Sequence, residues 1–531
     1  MKKDIIIKRI DRYKNKLNKL LKSNNKHYLI EYKIGTIERK IKYYEELIQL
    51  IDTYDKEEFK KKKALLKEKL KREEILYGNL TRTIFMVCLP IAIYVFFNSF
   101  YGLLDSVMCS SISAQSVSDV ALLAQIKNAI NAFGAGLAGG GCVLVSRYYG
   151  AGKFKEAKSS AGNMLSIAII MSIIICTIMI PFADIICNFV GCEGKQTGLY
   201  FSLQMFELAI MSINSIFVGL EKVKGNSKRI FLLNIMMLII KLTLNILFVY
   251  GMRVDSIVWI ELSSIVAQMS LFIYGVKKLF SKKNALKVSR KYMKIEKIYI
   301  IPILKLSIPI FLGKFVMNMG KFVVNLMAKF MYAATTDGLI VGALAVSNNL
   351  NGLITSPANS FEEGESTIVS QNLGNKNPNR TIQTFIRTTI IIMSFSIVGY
   401  ILVRFIFIDE LVNLFAGSKL KDITEIEKSQ RLVKYIKEVF IYDSLSIPSL
   451  GVVSCVLGLL YGYGKTFLAS ILNFSRIATR ILSLYILYLC GVGYEAVGIA
   501  MGFSNIVIMI LSIVCFIIFI THYKTEKLKY E

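Results

Sequence analysis

The chain has 531 residues, 54% of them hydrophobic and 19% charged, at a mean hydropathy of +0.51; a soluble protein of this length needs more surface charge, so the composition excludes one and points to a membrane. Two histidines, His27 and His522, and nine cysteines without a C-x-x-C pair leave little with which to hold a metal or run imidazole acid–base chemistry. No enzyme and no bound metal or cofactor is expected, nor, despite the net charge of +28, a nucleic-acid partner.

Residues 1–82 form a charged head with 24 Lys/Arg against 13 Asp/Glu. Ile6, Ile10, Tyr13, Leu17 and Leu20 alternate spacings of four and three, and so do Ile30, Ile34, Ile37, Ile41, Tyr44, Ile48 and Ile51 beyond an Asn24-Asn25 break. This is a coiled-coil-like seam and predicts an antiparallel helical hairpin, which could meet a protein partner or a second copy through residues 1–78. A third, basic helix over about 56–77 carries Lys60-Lys61-Lys62-Lys63, either as a solvated face or as a patch against anionic lipid. The first apolar span begins only near Ile84, so no cleavable signal peptide is expected.

From Thr83 onward twelve runs approach or exceed the roughly 20 residues that cross a bilayer as helix. They lie at about 84–108, 119–146, 162–186, 200–220, 228–250, 256–280, 302–331, 338–369, 386–408, 435–461, 467–489 and 495–520. Every second connection is basic: Arg147/Lys153/Lys155/Lys158, Lys222/Lys224/Lys228/Arg229, Lys277 to Lys297, Lys376/Arg380/Arg387, Lys465, and the tail Lys524/Lys527/Lys529. The other connections are short and near neutral, except a mixed one at about 409–434. Head, tail and basic loops are therefore expected on the cytoplasmic side of the cell membrane. Gly464-Lys465-Thr466 has the tail of a phosphate loop, but Leu459 stands where that loop needs glycine.

An internal repeat runs through these spans. A shift of 224 residues lays Val145-Ser146-Arg147-Tyr148-Tyr149-Gly150 on Val369-Ser370-Gln371-Asn372-Leu373-Gly374, a shift of 219 lays Pro90 on Pro309, and a shift of 239 lays Gly225, Asn234 and Lys241 on Gly464, Asn473 and Arg480. Six helices repeated in one membrane sense predict an all-α membrane protein of two pseudo-symmetric bundles, residues 83–290 and 291–531, with a cavity between them: a transporter design.

The run Phe133-Gly134-Ala135-Gly136-Leu137-Ala138-Gly139-Gly140-Gly141, with Val145 to Gly152 and Glu156-Ala157, resembles the second span and following loop of the multidrug and toxic compound extrusion (MATE) family. Leu89-Pro90 with Gly102-Leu103-Leu104-Asp105 resembles that family's first span, and Ser370-Gln371-Asn372-Leu373-Gly374-Asn375 its eighth. The likeness covers about 84–520 and not the head. It implies two six-helix lobes, no ATP, and export of organic compounds against inward Na⁺ or H⁺. It also assigns ion coupling to Asp105, whose alternative is an aspartate merely ending its helix. In the fifth span Asn245 matches the family's N-x-x-L-D pattern, but Val249 replaces its aspartate. Lys241 lies one turn before Asn245; it either takes a sodium ion's place beside Asp105 or faces a wet cavity.

Ionisable and amide groups inside a bilayer are functional candidates by default. On the seventh span Lys314, Asn318, Lys321 and Asn325 share one helix face, and on the eighth so do Asn348, Asn351, Thr355, Asn359, Glu362, Glu363 and Ser366, with Glu365 off to the side. Both faces are expected to line the cavity, with Lys314 at the depth of the Glu362/Glu363 pair, as a partner-trading switch or a static tie. Arg476 and Arg480 on the eleventh span add positive charge; Glu207, Asp443 and Glu495 are lesser candidates. The expected function is ion-coupled export of small organic compounds or drugs through the lipid bilayer. Two other readings stay open: an ATP-independent flippase of a lipid-linked anionic glycan or lipid, and a non-transporting scaffold that recruits partners through the head.

Overall fold

The computed structural model describes residues 2–22, 28–110, 114–190, 192, 196–252, 256–336, 339–413 and 423–523. Asn24-Asn25, His27 and the tail lysines lie outside the described residues, as do the side chains of Ile30, Asp105, Cys109 and Val249.

The described residues of the head form three helices. α1 (Lys2–Lys22) and α2 (Tyr28–Thr53) run antiparallel, with Lys3 2.7 Å from Asp52 at one end and Lys14 3.5 Å from Glu45 further along. Ile10, Ile37 and Ile41 are buried in one cluster, and Ile6, Tyr13, Leu17, Leu20, Tyr44 and Ile48 pack on it; Ile34 and Ile51 of the expected seam are not part of that cluster. α3 (Lys56–Tyr77) opens with the Asp55 carboxylate accepting from the Glu58 amide at 2.7 Å, an N-cap that satisfies one otherwise orphaned donor. It returns along α2, tied by Lys69 to Glu46 at 3.0 Å.

Among the described residues, twelve of the helices that follow are long and apolar enough to cross a membrane. The N-terminal lobe consists of α4 (Leu80–Ser110), α5 (Ala114–Gly150), α6 (Phe154–Met179), the short α7 (Ala183–Val190), α8 (Thr197–Val223), α9 (Ser227–Ile246) and α10 (Val258–Leu279). The C-terminal lobe consists of α11 (Lys297–Thr336), α12 (Leu339–Gly374), α13 (Pro378–Ile401), the short α14 (Ile408–Asn413), α15 (Ile423–Asp443), α16 (Ser446–Tyr463), α17 (Thr466–Leu489) and α18 (Glu495–Thr521). In each lobe the second span packs on the third and fourth, the fourth on the third and sixth, and the fifth on the first and sixth, so the sequence repeat is a repeat of packing.

Three boundaries depart most from the sequence reading. The ninth span begins at Pro378 rather than near 386, and Asn377 caps its helix by accepting from the Arg380 amide. The third span begins at Phe154 rather than near 162, because Gly152 makes the turn at φ +76° and the basic stretch after it is already helical. The run expected at 435–461 is broken at Ser444-Leu445: α15 is too polar to count as a span, and the tenth crossing starts at Ser446.

The lobes meet through α4 on α12 and α5 on α11. The glycine-rich run of α5 is what lets two backbones approach there. A Cβ at Gly136 would lie 2.7 Å from Phe311 Cα, and one at Gly140 would lie 2.6 Å from Ser307 N, closer than any side chain tolerates.

Candidate functional site between the lobes

On the side of the head the lobes are shut by a reciprocal contact. A Cβ on Gly150 would strike the Gln371 carbonyl at 2.1 Å, and one on Gly374 would strike the Arg147 carbonyl at 2.1 Å. Arg147 Nη2 donates to the Gly462 carbonyl at 3.2 Å, and Gln371 Nε2 donates to the Val223 carbonyl at 2.7 Å. Donors and acceptors are related by the shifts of 224 and 239 residues seen in the sequence. The acceptor helices end alike: Gly225 N bonds Lys222 O and Gly464 N bonds Tyr461 O, with the two glycines at φ +69° and +75°. Only glycine takes that left-handed turn cheaply, and the turn leaves the Val223 and Gly462 carbonyls pointing at the other lobe.

α3 lies across this closure. Its Arg72 Nη2 donates to the Gly150 carbonyl at 2.8 Å, and Tyr77 Oη donates to Asn375 Oδ1 at 3.0 Å. Lys71 Nζ donates to the Gly225 carbonyl at 3.3 Å, and Arg380 Nη2 reaches back to the Ile75 and Gly78 carbonyls at 3.2 and 2.6 Å. Burial, with Lys67 and Arg229 nearby, pushes the Lys71 amine down to about 8.

Beyond the closure lie three spaces that share walls: Lys314, Glu362 and Glu363 line the first and second, and Lys321, Asn359 and Arg476 the second and third. The first, about 240 Å³, is lined by Lys222 from α8 and by Lys314, Glu362, Glu363 and Tyr461 of the C-terminal lobe. Glu363 bridges the lobes: it pairs closely with Lys222 and sits 4.0 Å from Lys314. The expected Lys314–Glu363 meeting is therefore present, but Lys222, read from sequence as a loop cation, is the nearer partner. The second space, about 320 Å³, adds Asn318, Lys321, Asn359 and Arg476, and Asn318 donates across the lobes to the Asn128 carbonyl at 2.9 Å. The third, about 400 Å³, is lined by Lys321, Asn348, Asn351, Thr355, Asn359, Asp443, Arg476 and Arg480. Both predicted stripes thus face the cavities, except Asn325, which is half-buried outside their walls.

Asp443 lies at the break between α15 and α16 and is buried; it accepts from Ser347 at 2.8 Å and Ser446 at 3.0 Å. Arg480, also buried, donates to Ser504 at 3.0 Å and Asn505 at 3.4 Å, and Asn505 donates on to Ser446 at 2.6 Å. A single polar chain therefore runs from the eleventh span to that break.

The N-terminal lobe holds a second buried cluster. Lys127 pairs with Glu207 and lies 3.2 Å from Glu261, both carboxylates being about 5% exposed or less. Lys241 acts electrostatically on both carboxylates, and Asn245, fully buried, accepts from Ser263. The proposed neighbour of Lys241, Asp105, sits on α4 with its side chain outside the described residues.

Sequence reading passed over Lys127 and Glu261, although an ionisable group within a span was the signal. It also passed over Arg147 and Gln371 as gate residues, and set Glu365 aside. Glu365 is fully buried with neither carboxyl oxygen hydrogen-bonded among the described residues, its Oε2 3.0 Å from where a Cβ on Gly458 would lie. Among the described residues no group of three or more His, Cys, Asp or Glu could hold a metal.

No curated protein sequence matches the chain. Solved structures of the same fold do. A MOP superfamily transporter from Pyrococcus furiosus, described as having a binding pocket of reversed polarity, is 18% identical at a TM-score of 0.77, covering 85% of this chain and 98% of its own. An outward-facing multidrug resistance MATE family transporter of the MOP superfamily is 17% identical at a TM-score of 0.75, covering 83% and 96%. A MATE in complex with MaL6 is 18% identical at a TM-score of 0.78, covering 85% and 99%. The MatE family model matches residues 90–247 and 309–486, once in each lobe and nowhere in the head. With both repeats matched over most of the chain, this multi-pass membrane protein belongs to the MatE family, whose members are transporters and not enzymes.

Proposed function

We propose that the protein is a secondary active exporter of small organic compounds, driven by inward H⁺ or Na⁺ and working by alternating access, with the head and both termini in the cytoplasm. The observation that carries this reading is the reciprocal closure beneath a polar space shared by both lobes. Arg147, Gln371 and the two glycine contacts are few, lie at one end, and would separate together if the lobes rocked about the α5–α11 crossing. Asp105, with Asn245 and Lys241, remains the proposed coupling site of the N-terminal lobe.

The lining of the space of about 400 Å³, walled by the C-terminal lobe apart from Ser99, sets three cations against one carboxylate and favours an anionic, zwitterionic or peptidic cargo over a lipophilic cation. The reversed pocket polarity described for the P. furiosus transporter supports this reading. The same cations support a second reading, a flippase of an anionic lipid-linked glycan or lipid. Uptake into proteoliposomes under an imposed proton or sodium gradient, with anionic, cationic and peptide cargo, tests the first reading. Asp105→Asn should abolish gradient-driven uptake while the protein still inserts, because an amide cannot cycle a proton and holds Na⁺ less well. Full uptake by that variant would remove Asp105 from the mechanism, and uptake indifferent to any gradient would sink the exporter reading.

A further inference from the structure

A space of about 740 Å³, within the range of small-molecule sites, lies between the head and the N-terminal lobe, apart from the cargo path. The head supplies Tyr54, Lys62 and Lys69, the lobe supplies Phe154 and Lys158, and Arg72 of α3 spans the two. Four cations line it against one carboxylate, Glu46, which is already taken by Lys69. Arg72 Nε is buried without a hydrogen-bond partner among the described residues. Aromatic faces stand beside the charges: Lys62 Nζ is 3.4 Å from the Tyr54 ring centre, and the Arg72 guanidinium is 5.5 Å from that of Phe154, which is 40% exposed.

We propose that this space binds an aromatic anion of the nucleoside-phosphate class, and that the bound ligand fastens α3 across the closure and slows the opening of the lobes on that side. Phosphate would answer Lys62, Lys158 and the Nε of Arg72, and a base would stack on the exposed ring of Phe154. Without an anion the cations of the two walls repel each other; with one they are drawn together. The consequence reaches the closure because Arg72 itself holds the Gly150 carbonyl, and α3 is bound to both lobes through Lys71, Tyr77 and Arg380. A helix so attached cannot follow both lobes as they part. The head lies outside the family match, so this would be a property of this chain and not of the transport fold.

The test uses the purified full-length protein and isothermal titration with ATP, GTP and AMP, with adenosine, inorganic phosphate and phosphatidylglycerol vesicles as separate arms. Nucleotides should bind, adenosine and phosphate each more weakly, and the vesicles should not displace them. Lys62→Gln with Lys158→Gln should weaken binding by about tenfold. Phe154→Leu, a change at a half-exposed position, should weaken it by about fivefold. Bound nucleotide should also slow trypsin cleavage at Lys60-Lys61-Lys62-Lys63 in the wild type. No nucleotide binding, phosphate binding as tightly as nucleotide, displacement by the vesicles, or variants that bind like the wild type would each overturn the proposal. Binding is read without transport, so its failure leaves the exporter reading untouched.

Discussion

In the N-terminal lobe Lys127 and Lys241 face Glu207 and Glu261, two cations for two carboxylates held on four helices. In the C-terminal lobe Lys321, Arg476 and Arg480 line a space of about 400 Å³ with Asp443 as their one carboxylate. Both lobes repeat one six-helix pattern, yet one closes its charges on themselves and the other leaves positive charge facing a cavity. Paired charges in a low-dielectric interior fix helices relative to one another. Unpaired ones inside a bilayer persist only where water or a ligand reaches them. The comparison therefore assigns rigidity to the first cluster and recognition to the second.

The largest effect should come from Lys127→Met, which strands two buried carboxylates together and should cost about 3–5 kcal/mol in a thermal melt of the solubilised protein. Adding Glu207→Gln and Glu261→Gln should recover most of that loss. A lysine-to-methionine change in the other lobe's cluster, Lys321→Met, should leave the melt unchanged or raised. Equal losses in the two lobes would break the comparison.

Lys321→Met with Arg476→Gln should instead lower uptake of anionic cargo by about tenfold at constant stability, read in proteoliposomes. Retained anionic uptake would return the C-terminal cavity to a structural role. Where the lobes meet, Lys222→Met should destabilise more than Lys314→Met: Lys222 pairs closely with Glu363 and is only 13% exposed, whereas Lys314 is 4.0 Å away and 36% exposed, a pair worth roughly 1 kcal/mol or less. The reverse order would make Lys314, not Lys222, the tie.

The smallest effect concerns pH. Lys71 is depressed to about 8 in the folded protein, so between about pH 8 and 10.5 the unfolded chain binds more protons and stability rises with pH across that window. Lys71→Met should flatten that rise in melts taken from pH 7 to 10. A wild-type melt that falls through this window by more than the variant's would reverse the sign and refute the docked lysine.

Much of this was legible because helices advertise their faces. The Lys314 and Asn348 stripes fall at spacings of three and four, and all but Asn325 reach the cavities. Nine residues of the head's two apolar runs gather in one cluster in the same way, Ile34 and Ile51 not among them. Ion-pair partners were harder to read. Lys222 lies at the end of α8, where a cation also suits the helix dipole, and nothing in its own helix says that it leans into Glu363 of a helix 141 residues away. The break at Ser444-Leu445 was hidden for a different reason: the residues from 435 to 461 are apolar enough to read as one span, and the interruption depends on Asp443 finding Ser347 and Ser446.

The reciprocal closure has one more consequence. Val223 and Gly462 lie within the last turns of α8 and α16, where a helix has no donors of its own for its final carbonyls. Each half therefore finishes a helix of the other, as the two copies do in an isologous homodimer, here covalently joined. A backbone carbonyl accepts from any donor that reaches it, and so one copy can supply arginine and the other glutamine to the same geometry. The two halves can therefore differ in the donating side chain, provided that both keep the glycine turns at 225 and 464 and the bare backbones at 150 and 374.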